Sequence, residues 1–84
     1  MISCSQYDYI ELACVFHIQV RITTENGSVF EGIALDTGYN KQKKECLILQ
    51  TNGQEAWFET DTLTEMQALT PNPHFTLVSF QQIT

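Results

Sequence analysis

The sequence predicts a mainly β fold, in which one N-terminal α-helix precedes a small, strongly bent antiparallel sheet or barrel. Three observations carry this expectation. Apolar residues recur at helical spacing only near the N-terminus, they alternate with polar residues from position 17 onward, and two Asn-Gly dipeptides at 26–27 and 52–53 mark tight hairpins. The 84 residues are expected to form one domain spanning 1–84, because domains usually take ~100 to 200 residues.

The helix is expected over residues 6–16. There Tyr9, Leu12, Ala13 and Phe16 recur at i, i+3, i+4 and i+7, the spacing of one buried face. Ser5 is placed to cap its start, and Asp8 in the first turn suits the positive end of the helix dipole. The opposite arc then carries Tyr7, Asp8, Glu11, Cys14 and Val15 toward solvent.

The strands follow. Ile18, Val20 and Ile22 alternate against Gln19, Arg21 and Thr23 as a half-buried strand. Asn26-Gly27 tolerates positive φ at both turn positions, so Val29 to Asp36 should return antiparallel, with a bulge or bend at Gly32. Thr37 to Glu45 has turn formers, three lysines and no apolar periodicity, which reads as an exposed loop. Cys46 to Thr51 is the most hydrophobic strand, and Asn52-Gly53 turns it into a strand over Glu55 to Glu59. A turn near Asp61 leads to a strand over Leu63 to Leu69; Pro71 and Pro73 interrupt it, and Phe75 to Phe80 resumes alternation with unassigned pairing.

Charge narrows the function. Ten acidic residues against four basic ones give a formal charge of −6, which repels phosphate, so no direct nucleic-acid partner is expected. Three of the four basic residues, Lys41, Lys43 and Lys44, fall in one short segment of an otherwise acidic chain. The three cysteines, Cys4, Cys14 and Cys46, lack paired metal-site spacing and fit free thiols in a reducing compartment. No apolar stretch approaches the ~20 residues of a membrane span, and no basic region leads into an apolar run at the N-terminus, so a cytoplasmic address is expected.

Reactive constellations are sparse. Cys14 and His17 stand three residues apart, a spacing that can hold a metal with Cys4 as a third ligand, but no fourth ligand accompanies them. A buried thiol beside a hydrogen-bonded histidine is the preferred reading, and no metal or cofactor is expected. The same pair lacks the orienting residue of a nucleophilic site. Trp57 and Phe58 resemble a base-stacking platform, yet in a strand one of the two must pack inward. Glu59 and Asp61 have no predicted pocket around them to support acid/base work. No enzymatic activity is expected.

The N-terminal pattern Cys4-x-x-Tyr7-Asp8-x-x-Glu11-Leu12-Ala13-Cys14 resembles the opening of the Rho-binding antiterminator (Rof) family. The likeness continues through His17, the turn at Gly27, the charged loop near Lys41 and the segment around Pro73 and His74, nearly the whole chain. The resemblance implies an Sm-like fold with the helix lying across a bent sheet, and Gly27-x-x-Phe30-x-Gly32 is similar to the first half of the Sm motif. Beyond Gly32 the likeness to Sm proteins stops, because Asp36 and Asn40 fall two residues short of their uridine-binding spacing.

What the family resemblance implies is a monomeric inhibitor that docks on the N-terminal RNA-binding domain of the termination factor Rho and occludes its primary RNA site. A basic RNA groove attracts an acidic surface by the same field that draws in phosphate. Tyr7, Asp8 and Glu11 on the helix, with Asn40 and Lys41 in the loop, are the expected partner-binding residues. The alternative is an Sm-like RNA-binding protein, which would need a basic face.

Overall fold

A computed structural model describes residues 4–80 of the chain, with side chains from Gln6 onward. It contains one helix, α1 (Cys4–Val15), and six strands: β1 (Gln19–Thr24), β2 (Val29–Tyr39), β3 (Glu45–Thr51), β4 (Gln54–Glu59), β5 (Leu63–Ala68) and β6 (Leu77–Ser79). A single 3-10 turn, Thr60–Thr62, joins β4 to β5. All pairings are antiparallel, in the order β4-β3-β2-β1-β5-β6. The sheet is open, with β4 and β6 at its edges, and so it is the bent sheet, not the barrel, of the two forms expected.

Topology forces the bend. β4 and β5 are four strand steps apart, ~19 Å in a flat sheet at ~4.8 Å per step. Only the three-residue 3-10 turn joins them, and at about 2 Å rise per residue it spans under ~10 Å. The sheet must therefore curl until its two ends nearly meet. The backbone N–H of Glu25 donates to the Thr62 carbonyl at 2.8 Å, which ties the β1–β2 turn to the same junction.

Strand β2 makes the curl by changing partners along its length. Its first half, through Ile33, pairs with β1, and its second half, from Ile33 to Tyr39, pairs with β3. The ladder slips by one residue between Ala34 and Asp36, leaving Leu35 as the extra residue of a bulge. The bulge thus lies three residues beyond Gly32, where a bulge or bend is expected; at Gly32 itself a Cβ would lie 2.7 Å from the Gln50 carbonyl oxygen and 3.2 Å from the Leu49 Cβ. Gly32 is the point where β2 and β3 approach too closely for a side chain.

The concave side holds the core. Ile10 and Ala13 from α1 meet Ile18, Val20 and Ile22, then Ala34, Leu47, Leu49, Leu63, Met66 and Phe80, all nearly or completely buried. β1 thus packs with the phase its alternation predicts. Leu47 and Leu49 face inward, while Cys46 and Ile48, also buried, belong to the opposite face of β3.

Four further expectations are corrected. The helix begins at Cys4, so Ser5 lies within it and does not precede it as a cap, and Asp8 falls beyond the first turn; the Ser5 side chain lies outside the described residues. Strand β2 runs three residues farther than expected, through Thr37, Gly38 and Tyr39, because cross-strand pairing with Leu47, Cys46 and Glu45 holds residues that have no apolar periodicity of their own. The Asn26-Gly27 hairpin has positive φ only at Gly27; Gly27 N–H donates to Thr24 O, and Thr24 N–H to Ser28 O, the three-residue type I turn with a left-handed glycine. At 52–53 both residues are left-handed, as the dipeptide predicts.

The fourth correction is the phase of the helix. Ile10, Ala13 and Cys14 are buried and Tyr7 is half-buried, whereas Phe16 is 55% exposed and Tyr9 36%. The inward face is Tyr7-Ile10-Ala13-Cys14. Tyr9 and Phe16 instead sit at the rim, Tyr9 edge-on to Phe75 at 6.0 Å and Phe16 stacked on His74 at 4.6 Å.

Candidate partner-binding surface

The end of α1 sets the helix against the sheet. His17 adopts φ of 48° in the left-handed region; its N–H donates to Cys14 O, and Ile18 N–H donates to Ala13 O. This is the Schellman arrangement, with histidine where glycine is usual, and it drops Ile18 straight into the core. The His17 ring pairs its Nδ1 with the Ala34 carbonyl at 3.1 Å, which binds the joint to β2. Cys14 and His17 are therefore parts of the joint that fixes α1 against the sheet. Among the described residues no group of three or more His, Cys, Asp or Glu is arranged to hold a metal ion.

The rotated phase leaves Tyr7 half-buried where it was expected to be exposed, and makes it a strut. Its hydroxyl donates to Glu45 Oε2 at 2.6 Å, joining α1 to the first residue of β3. Burial first, and the hydrogen bond to Glu45 second, push the Tyr7 phenol up to about 12. Cys14 is likewise not on the exposed arc. Burial raises its thiol to about 11, helped by the negative charges of Asp36 and Glu11.

Asp8 and Glu11 remain exposed on the outer side of α1, as expected. Glu11 and Glu45 act on Tyr7, and Glu11 and Asp36 act on Cys14, so these carboxylates crowd the same flank of the helix. No sequence signal singled out Glu45, because its partner lies 38 positions away.

The loop at 40–44 is built by Asn40. Its Oδ1 accepts from Gln42 N–H at 3.0 Å and Lys44 N–H at 2.9 Å, its N–H donates to Lys44 O, and its Nδ2 donates to Glu59 Oε2 at 3.1 Å. Lys43 is held left-handed at φ of 62° within this frame. Asn40 thus organises the loop from a half-buried position, while Lys41 projects into solvent. Since Lys44 directly precedes Glu45, the Tyr7–Glu45 bond also brings the loop and the helix, predicted separately, into one neighbourhood.

The raised pKa values give a pH prediction. Tyr7 and Cys14 both hold their protons more tightly folded than unfolded, where the ordinary values are 10 and 9. Stability from these groups is complete below about pH 9 and is lost as pH rises toward 12, since the unfolded chain then binds fewer protons. Melting temperatures measured from pH 8 upward should fall across that window, and Tyr7→Phe should flatten the upper part of the fall. A flat profile in the unsubstituted protein would contradict the strut.

Fold and surface together define a small acidic domain with one helix on a curled sheet, whose exposed carboxylates and ordered loop suit recognition of a larger partner. The family model described as "Modulator of Rho-dependent transcription termination (ROF)" matches residues 1–80. A solved structure described as "YaeO bound to Magnesium from Vibrio cholerae O395" is 47% identical, superposes with a TM-score of 0.86, and is matched over 89% of this chain and 97% of that one. Comparison with curated proteins returned no match. The chain belongs to the ROF family of modulators of Rho-dependent transcription termination, a regulatory family, which bears out the resemblance read from residues 4–14.

Proposed function

We propose that this chain is a non-enzymatic, cytoplasmic inhibitor of Rho-dependent termination that binds, as a monomer, the N-terminal RNA-binding domain of Rho and covers its primary RNA site. The observation that carries the reading is the acidic outer side of α1: Asp8 and Glu11 are exposed, and Glu11 shares its flank with Glu45 and Asp36. Carboxylates accept paired hydrogen bonds from arginine much as phosphate oxygens do, so an acidic face of this kind competes for a basic RNA groove. Tyr7 holds Glu45 in place, and Asn40 holds the loop so that Lys41 meets an acidic rim on the partner. The overall charge of −6 adds long-range attraction to the groove and repulsion of RNA itself.

Titrating labelled protein with the isolated N-terminal domain of Rho tests the location. Saturable binding at the affinity of full-length Rho, weakening as salt rises, is expected. Binding to full-length Rho with none to the isolated domain would place the contact elsewhere.

A further inference from the structure

The outer edge of β4 carries a second recognition surface, on the face of the sheet opposite the core. Glu55, Trp57 and Glu59 alternate along this strand and so project to one side, ~7 Å apart. Trp57 is the single tryptophan of the chain and is 47% exposed. Its inner ring edge lies over Gly38, where a Cβ would come within 3.1 Å of the indole, and beside Ile48. The distal edge of the ring is therefore anchored on β2, and nearly half of the residue stays exposed.

Glu55 and Trp57, with the Glu59 N–H, direct their backbone groups to the outer edge. The two-residue hairpin at 52–53 closes on the pair Thr51 and Gln54, which is hydrogen-bonded in such turns. Alternation along an antiparallel ladder then makes Gln50–Glu55, Ile48–Trp57 and Cys46–Glu59 the non-hydrogen-bonded pairs, whose β4 peptide groups face away from β3. Thr62 Oγ1 donates to the Glu59 carbonyl at 2.7 Å and closes one end of this row. Among the described residues no other strand pairs with β4.

We infer that the β4 edge binds an extended segment of another protein by strand addition, with an arginine of that segment lying on Trp57 between Glu55 and Glu59. Each feature selects the same occupant. Outward N–H and C=O groups select an extended backbone, a half-exposed indole attracts a guanidinium, and the exposed carboxylate of Glu55 neutralises the cation, aided by the charge of Glu59, whose Oε2 is held by Asn40. The carboxylates also argue against a second copy of this chain, because antiparallel pairing centred on Trp57 sets Glu55 against Glu59 of the other copy, and like charges opposite one another are destabilising. They argue against RNA in the same way, by repelling its phosphates. The surface lies on a different element from Asp8 and Glu11, and the inference does not rest on how the helix engages Rho.

The test uses the full chain and a capped heptapeptide of alternating threonine and valine with a central arginine. Saturable change in Trp57 fluorescence is expected, with slowed hydrogen exchange at the Glu55 and Trp57 amides. Replacing the peptide arginine by glutamine, or its neighbours by proline, should each weaken binding at least ~2-fold, which for the arginine is the smaller end of a cation–π contact. Glu55→Gln, at an exposed position that leaves the core untouched, should weaken it similarly, as should Trp57→Leu, which still covers Gly38; both are followed by the anisotropy of labelled peptide. Equal binding of the proline-bearing peptide would reduce the effect to general charge attraction and overturn strand addition. Self-association in sedimentation that is lost with Trp57→Leu, or saturable fluorescence change with oligouridylate, would assign the edge to a second copy or to RNA and also overturn the inference.

Discussion

Replacing Asp8 or Glu11 by lysine is expected to weaken binding to Rho by at least ~30-fold while leaving the fold intact. Both side chains are exposed on α1, outside the inward face of Ile10, Ala13 and Cys14, so neither substitution disturbs packing. Reversal sets like charge against a basic groove, and losing one partner of a desolvated charge pair typically costs about 2 to 5 kcal/mol. At ~1.4 kcal/mol per tenfold, the lower end already gives that loss. Glu65→Lys is the control: Glu65 is exposed on β5, paired to Thr23 and Ser79, and its reversal should act only through the general field and fade with added salt. Titrations in which all three variants bind alike would remove the helix from the interface.

Gly32→Ala is expected to lower stability by about 1 to 3 kcal/mol, the usual cost of forcing extra volume into a packed site. The new methyl would stand 2.7 Å from a backbone carbonyl oxygen, which cannot swing aside as a side-chain tip can. In a domain of this size each kcal/mol moves the melting temperature by ~4 to 8 °C, so a fall of at least ~4 °C should appear in a thermal scan. An unchanged midpoint would mean that β2 and β3 do not approach as closely as the curl requires.

The strands were legible in the sequence where neighbours along the chain decide their environment. Ile18, Val20 and Ile22 alternate cleanly and are buried as their spacing predicts. The helix phase was not legible, because Tyr7, Tyr9, Ile10, Leu12, Ala13, Cys14 and Val15 make α1 apolar on nearly all sides, and two arcs fit equally well. What selects between them is the left-handed turn at His17 and the docking on β2, neither of which has a periodic signature. The extension of β2 through Tyr39 escaped for a related reason: a ladder partner on β3, not local composition, keeps it extended.

The candidate surface divides along the same line. Exposed charges, Asp8, Glu11 and Lys41, could be placed from helical spacing and composition alone. The roles of Tyr7 and Asn40 could not, since each is set by a carboxylate distant in sequence, Glu45 for the first and Glu59 for the second. Both therefore order neighbouring parts of the surface, Tyr7 through Glu45 and Asn40 through Glu59, beside the contact roles proposed for them.

Competition for RNA on the Rho hexamer tests the central claim most directly. With labelled single-stranded RNA bound at the primary site, adding this protein should displace it completely, and the protein concentration needed for half-displacement should rise in proportion to added RNA. Stable ternary complexes of RNA, Rho and this protein at saturating protein would contradict occlusion.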